Sequence, residues 1–181
     1  GLIIFRGAPV TPQFHVDLSE CFAELEVHPV PEIHHPENKK LIRLVSDPQG
    51  EDEDLITVDG VPGCAWLPWH KDLVFTAKLN HGGILHATKW TTRGGQTGYV
   101  DQISAYQRLS DDIKERVDGL EVVYKYGPIE TSPWCAREDV KYVKIGPANR
   151  SMNARAERDW PAVVHPLVFT QKETGRKALN L

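Results

Sequence analysis

The chain has 181 residues, 40% of them apolar and 25% charged, which suits one domain with a sizeable core. Its net charge of −4 excludes a basic nucleic-acid-binding surface, and no apolar run is long enough to span a membrane. The three cysteines, Cys21, Cys64 and Cys135, are far apart and form no CxxC, which excludes a disulfide framework or a cysteine zinc site and fits a reducing, cytoplasmic setting.

The apolar run Leu2-Ile3-Ile4-Phe5, closed by Arg6-Gly7, predicts a buried strand. Thr11-Pro12 then opens a helix: threonine caps, and proline suits the first helical position. Phe14, Leu18, Cys21, Phe22 and Leu25 give that helix an apolar face. Residues 28–36 are proline-rich and read as loop, with His28, His34 and His35, like His15 in the helix, placed at the surface. Residues 41–45 have the apolar density of a strand, and the acidic run at 50–54 reads as a solvated loop. Strands are expected at 66–75, 83–90 and 98–100, separated by glycine pairs. Asp101 caps a helix holding Ile103, Tyr106 and Leu109, and Ser110 caps another that ends at Gly119.

Residues 121–126 read as a strand. From 127 to 160 the pattern dissolves into prolines, glycines and alternating charge, which predicts a lid or a mobile loop within the domain. Residues 163–170 and 177–181 read as two strands joined by a turn at Glu173-Thr174-Gly175. Many short strands with helices outside them suit a mostly β, jelly-roll core. The N-terminal end lacks the pattern of a signal peptide. Both ends read as cut: the chain opens on Gly1 directly before an apolar run and stops in a strand.

The strongest chemical feature is Trp69-His70-Lys71-Asp72. In an extended segment alternate side chains share a face, so His70 and Asp72 converge while Lys71 points away. Imidazole plus carboxylate is two-thirds of the 2-His-1-carboxylate triad of non-haem iron(II) oxygenases. The carboxylate cancels one metal charge, and three protein ligands leave room for a chelating co-substrate and dioxygen. The triplet alone is more often an ordinary hydrogen-bonded pair.

Its surroundings are more specific. Asn80-His81-Gly82-Gly83 follows, then Arg93-Gly94-Gly95-Gln96-Thr97, Tyr99-Val100-Asp101 and Ala105-Tyr106-Gln107-Arg108-Leu109-Ser110. Further on come His165-Pro166-Leu167-Val168 and Glu173-Thr174-Gly175-Arg176-Lys177-Ala178-Leu179, and at the start Phe5-Arg6-Gly7 with Thr11-Pro12. In this order the blocks resemble the TauD/TfdA family of iron(II)- and 2-oxoglutarate-dependent dioxygenases, over essentially the whole chain and least clearly at 127–160.

The resemblance implies a double-stranded β-helix (jelly roll) lacking its C-terminal part, a single domain over 1–181. It implies Fe(II) held by His70 and Asp72, with Thr97 holding a carboxylate of 2-oxoglutarate. Leu73, Phe75 and Trp66 would line the pocket of a small-molecule substrate, although core packing explains Leu73 and Phe75 as well. The implied reaction consumes dioxygen and 2-oxoglutarate and yields succinate, carbon dioxide and an oxidised substrate. The retained Asp72 argues against a halogenase. Family members carry a second ligating histidine and a co-substrate-binding arginine beyond the hairpin, and the chain stops before either.

His165 and Arg176 match hairpin positions outside the family's active site, and His86 reads as a packed histidine. An apolar-bodied organic acid is the substrate class expected. Exposed sheet edges would favour association, hence a homo-oligomer. Two other readings share the side-chain types: a metal-free jelly-roll relative that only binds a ligand, and a zinc-dependent hydrolase built on His70 and Asp72.

Overall fold

The computed structural model describes residues 1–45, 50, 54–63, 69–92, 94–127 and 138–181. The expectations for Trp66, Cys64, Cys135 and most of the acidic run fall outside that set.

Helix α1 (Pro12–Glu20) starts as its sequence dictates: Thr11 is extended and its hydroxyl accepts from the Phe14 amide at 3.2 Å. Its inward residue is Val16, whereas Phe22, assigned to the apolar face, lies past the helix end and is exposed. The proline-rich stretch is more regular than expected. A short 3-10 helix (Pro31–Ile33) leads into β1 (His34–His35), which pairs antiparallel with β2 (Asn38–Ile42).

Strands β3 (Leu55–Val58) and β4 (Val61–Gly63) form a hairpin. Its turn residues Asp59 and Gly60 both have positive φ, 51° and 76°, the conformation whose twist suits a two-residue hairpin turn. β6 (Val140–Lys144) adds to the other edge of β3, giving the order β4-β3-β6.

Helices α2 (Gln102–Gln107) and α3 (Asp111–Val117) follow their caps. Asp101 accepts from the Ile103 amide at 3.0 Å, and Ser110 holds the cap position of α3 without a side-chain bond. Gly119, φ 72°, turns the chain into β5 (Glu121–Tyr124). β5 pairs antiparallel with β7 (Val163–Pro166), and β8 (Val168–Thr170) pairs with β9 (Lys177–Leu179) around the expected Glu173-Thr174-Gly175 turn.

Three expectations are corrected. Residues 2–5 form no strand and are exposed, Ile3 at 68%, because among the described residues no strand pairs with their backbone groups. The strands read at 66–75, 83–90 and 98–100 are absent from the described part of 69–100. There the chain is irregular or turning, and Leu73, directly after Asp72, holds φ 57°, outside the strand region. The irregular stretch read over 127–160 contains β6 and, at α4 (Pro147–Asp159), the longest helix described.

That helix holds the core. Met152 and Ala156, one turn apart, and Trp160 at its end pack with Val30, and Ile33, Phe75 and Tyr126 close around them. Phe75, Tyr126 and Trp160 meet with ring centroids 4.6–6.1 Å apart. Arg155 lies 4.9 Å over the Trp160 ring and bonds Glu32 and Asp159, tying α4 to the 3-10 segment.

The described strands thus form four antiparallel sheets of two or three strands with helices beside them, and a continuous double-stranded β-helix is not among their pairings. The accessible surface is 13466 Å², against roughly 9,000 Å² for a compact protein of this mass, so much apolar surface stays open. Among the described residues no helix is long and apolar enough to cross a membrane.

Candidate metal-binding segment

The segment 69–76 is neither helix nor strand and turns through 72–75. The Thr76 amide donates to the Leu73 carbonyl at 3.0 Å, and the Thr76 hydroxyl reaches the same oxygen at 2.8 Å. Leu73 holds a left-handed backbone that a leucine adopts at a cost of about 1–3 kcal/mol. Burial of its side chain, 8% exposed, offsets that cost.

On the open side of this turn His70 Nε2 lies 3.1 Å from Asp72 Oδ1. Both side chains are largely exposed, 49% and 68%. The bond from His70 holds the Asp72 carboxyl below its ordinary value; partial desolvation opposes this, and the nearby His70 and His28 add to it. Lys71 is engaged elsewhere: its ammonium meets Asn180 Oδ1 at 2.9 Å and sits 4.8 Å from the Phe169 ring centroid. Desolvation lowers the Lys71 pKa.

Two glycines shape the approach. A Cβ on Gly83 would lie 3.9 Å from Asp72 Oδ2, so the backbone passes the carboxylate with no side chain between. A Cβ on Gly98 would stand 2.5 Å from the Trp69 ring, so the indole lies directly on the Gly98 backbone. Thr97, the residue before Gly98, is exposed. Leu73 and Phe75 are placed inward, Phe75 within the aromatic core.

The other histidines are engaged elsewhere. His86 meets His15 edge-on at 5.5 Å, and His15 bonds the Ile84 carbonyl at 2.9 Å. His28, expected at the surface, is half-buried and edge-on to Phe75, and His34 bonds its carbonyl at 2.7 Å. Burial, then the neighbouring His34, push the His28 pKa down, while Asp72 pulls it up. His165 is buried and bonds the Thr76 carbonyl at 2.9 Å. Arg176 stays in the hairpin turn beside Thr174. Among the described residues no three histidine, cysteine or carboxylate side chains gather to hold a metal.

His70 and Asp72 nevertheless fit as two ligands of one ion. Donors at adjacent octahedral positions, each about 2.1 Å from a metal, are about 3.0 Å apart, and the observed separation is 3.1 Å. One neutral nitrogen and one carboxylate oxygen are the donor types that non-haem iron(II) accepts in a facial triad.

The exposed His-x-Asp pair, with Gly83 passing beside the carboxylate, thus offers two donors of the types found in a facial triad. The chain belongs to the TauD/TfdA family: the model described as "Taurine catabolism dioxygenase TauD, TfdA family" matches residues 1–181. It is 26% identical over 184 residues to the (S)-phenoxypropionate/alpha-ketoglutarate-dioxygenase of Sphingobium herbicidovorans, covering 98% of this chain and 56% of that protein. To the alpha-ketoglutarate-dependent sulfate ester dioxygenase of Pseudomonas putida it is 27% identical over 186 residues, 99% of this chain and 53% of the relative. To the alpha-ketoglutarate-dependent 2,4-dichlorophenoxyacetate dioxygenase of a Burkholderia strain it is 23% identical over 188 residues, 98% and 57% respectively. The chain therefore spans about half the length of the curated relatives it matches.

Proposed function

We propose that this chain is part of an iron(II)- and 2-oxoglutarate-dependent dioxygenase with the family's jelly-roll architecture, in which His70 and Asp72 hold the ferrous ion. The observation that carries the reading is the exposed His70–Asp72 pair at 3.1 Å, the spacing of two adjacent metal ligands, in a chain matching the family throughout. Bound iron and 2-oxoglutarate would supply the oxidising chemistry, with dioxygen consumed and succinate and carbon dioxide released.

The chain's own residues do the rest. His70 contributes an imidazole nitrogen. Asp72, kept ionised by its contact with His70, contributes one negative charge. Thr97, the residue before Gly98, offers a hydroxyl to a carboxylate of 2-oxoglutarate. Leu73, Phe75 and Trp66 would supply apolar lining to the substrate pocket.

The substrate class we favour is a small organic acid with an apolar body. Two relatives are named for aryloxy-acid substrates, (S)-phenoxypropionate and 2,4-dichlorophenoxyacetate. The exposed apolar run at residues 2–5 supports self-association as part of the same reading. Sedimentation velocity tests this, and a monomer at every concentration would remove that part.

The decisive experiment is an anaerobic titration with iron(II) and 2-oxoglutarate, recording the visible metal-to-ligand charge-transfer band. A band that His70→Ala abolishes is expected. No band, in this chain or in a longer chain containing it, would sink the dioxygenase assignment.

A further inference from the structure

Among the described residues two polar side chains are buried, His165 at 6% and Asn180 at 0% exposure. Both reach across the chain to the same short segment. Asn180 Oδ1 accepts from Lys71 Nζ at 2.9 Å, over a separation of 109 residues. His165 Nε2 bonds the Thr76 carbonyl at 2.9 Å, over a separation of 89. A carbonyl only accepts, so Nε2 carries the proton and donates. The two attachments fall one residue before Asp72 and four after it.

Each anchor is itself fixed. The Asn180 amide Nδ2 donates to the Pro166 carbonyl at 3.3 Å, and its backbone N–H donates to Leu167 O at 2.8 Å. Its carbonyl accepts from the Tyr124 hydroxyl. His165 stands in β7 opposite Val122 of β5, its ring 5.9 Å from that of Tyr124. Burying an amide and an imidazole is unfavourable unless their bonds are made, and here the bonds terminate on the loop.

The consequence for the open face is direct. Holding the Lys71 side chain on Asn180 fixes the chain at the one residue that lies between the two proposed ligands. Holding the Thr76 carbonyl fixes where the 72–75 turn closes, since the Thr76 amide and hydroxyl both bond Leu73 O.

We infer that His165 and Asn180 are positioning residues for the proposed metal ligands, a two-point clamp from the β7–β9 region that presents His70 and Asp72 to one ion. This rests on the ferrous-site reading above. Neither residue touches metal or substrate; each acts through the 71–76 segment.

The test measures anaerobic ferrous affinity and, on the metal-free chain, hydrogen exchange of the Thr76 amide. Lys71→Met removes the Asn180 attachment from the solvent side and leaves the buried groups in place. His165→Leu removes the other donor. Each should weaken ferrous binding by about tenfold, as loss of an outer-shell partner does, and speed Thr76 exchange. Lys71→Arg and His165→Gln, which keep a donor, should recover most of both, an effect that mere packing would not produce. If His165→Leu does not fold, the Lys71 pair alone decides. Wild type that binds iron, with Lys71→Met binding equally and exchanging equally, overturns the inference and leaves the ferrous site standing. Wild type that binds no iron while His70 is intact overturns both.

Discussion

His70 and Asp72 on one side, and His165 and Asn180 on the other, use similar chemistry in opposite settings. The first two are exposed and bond each other across 3.1 Å. The second two are buried, and their bonds run to backbone and to Lys71. The difference teaches how a ligand site can be open yet ordered. The groups that would bind a metal keep their access, and the groups that order them are sealed beneath.

The comparison breaks most sharply under Asp72→Ala. Ferrous binding should be lost, while the unfolding free energy in urea changes by no more than about 0.5 kcal/mol, the usual range for an exposed site. A large loss of stability would place Asp72 with the scaffold.

The complementary change is Asn180→Leu. It leaves the Pro166 carbonyl without its side-chain donor and Lys71 without its acceptor, so stability should fall by about 1–3 kcal/mol in the same urea experiment. Stability equal to wild type would mean that the buried amide contributes nothing as a scaffold.

A smaller effect is expected from Gly98→Ala, whose new methyl would meet the Trp69 ring at 2.5 Å. The indole must shift. Tryptophan fluorescence should change, and 2-oxoglutarate should bind a few-fold more weakly with little change in melting. Unaltered 2-oxoglutarate affinity would separate Thr97 from the site.

The smallest effect sharpens the contrast between two carboxyls. Asp72 is lowered mainly by an imidazole, whereas Asp159 is lowered to about 2, first by its bond to Arg158 and then by Arg155. Asp159's folded value lies below the unfolded value of about 3.9, so its contribution is complete above that pH and lost as pH falls through 2. The melting difference between wild type and Asp159→Asn should therefore be constant at neutral pH and shrink between pH 4 and 2. A difference that persists to pH 2 would contradict the pairing.

Local features were legible in the residues. The Thr11 and Asp101 caps and the Glu173-Thr174-Gly175 turn all depend on groups within a few positions. The misread elements share a cause. Residues 2–5 are apolar enough for a strand, but a strand exists only beside another backbone. Helix α4 was hidden because its polar residues alternate in sign, while Met152, Ala156 and Trp160 recur only every fourth position. His165 stood out by its hairpin motif, but its bond to the Thr76 carbonyl could not be read there.

By itself, the sequence determined the family, the helix starts and the His-x-Asp pairing, because caps, turns and short spacings act through neighbours along the chain. Tertiary structure decided which apolar runs found partners and which polar groups were buried. It also decided that the segment around His70 and Asp72 is held from the far end of the chain. Those outcomes depend on contacts between residues 89 and 109 positions apart, a distance over which no local pattern carries information.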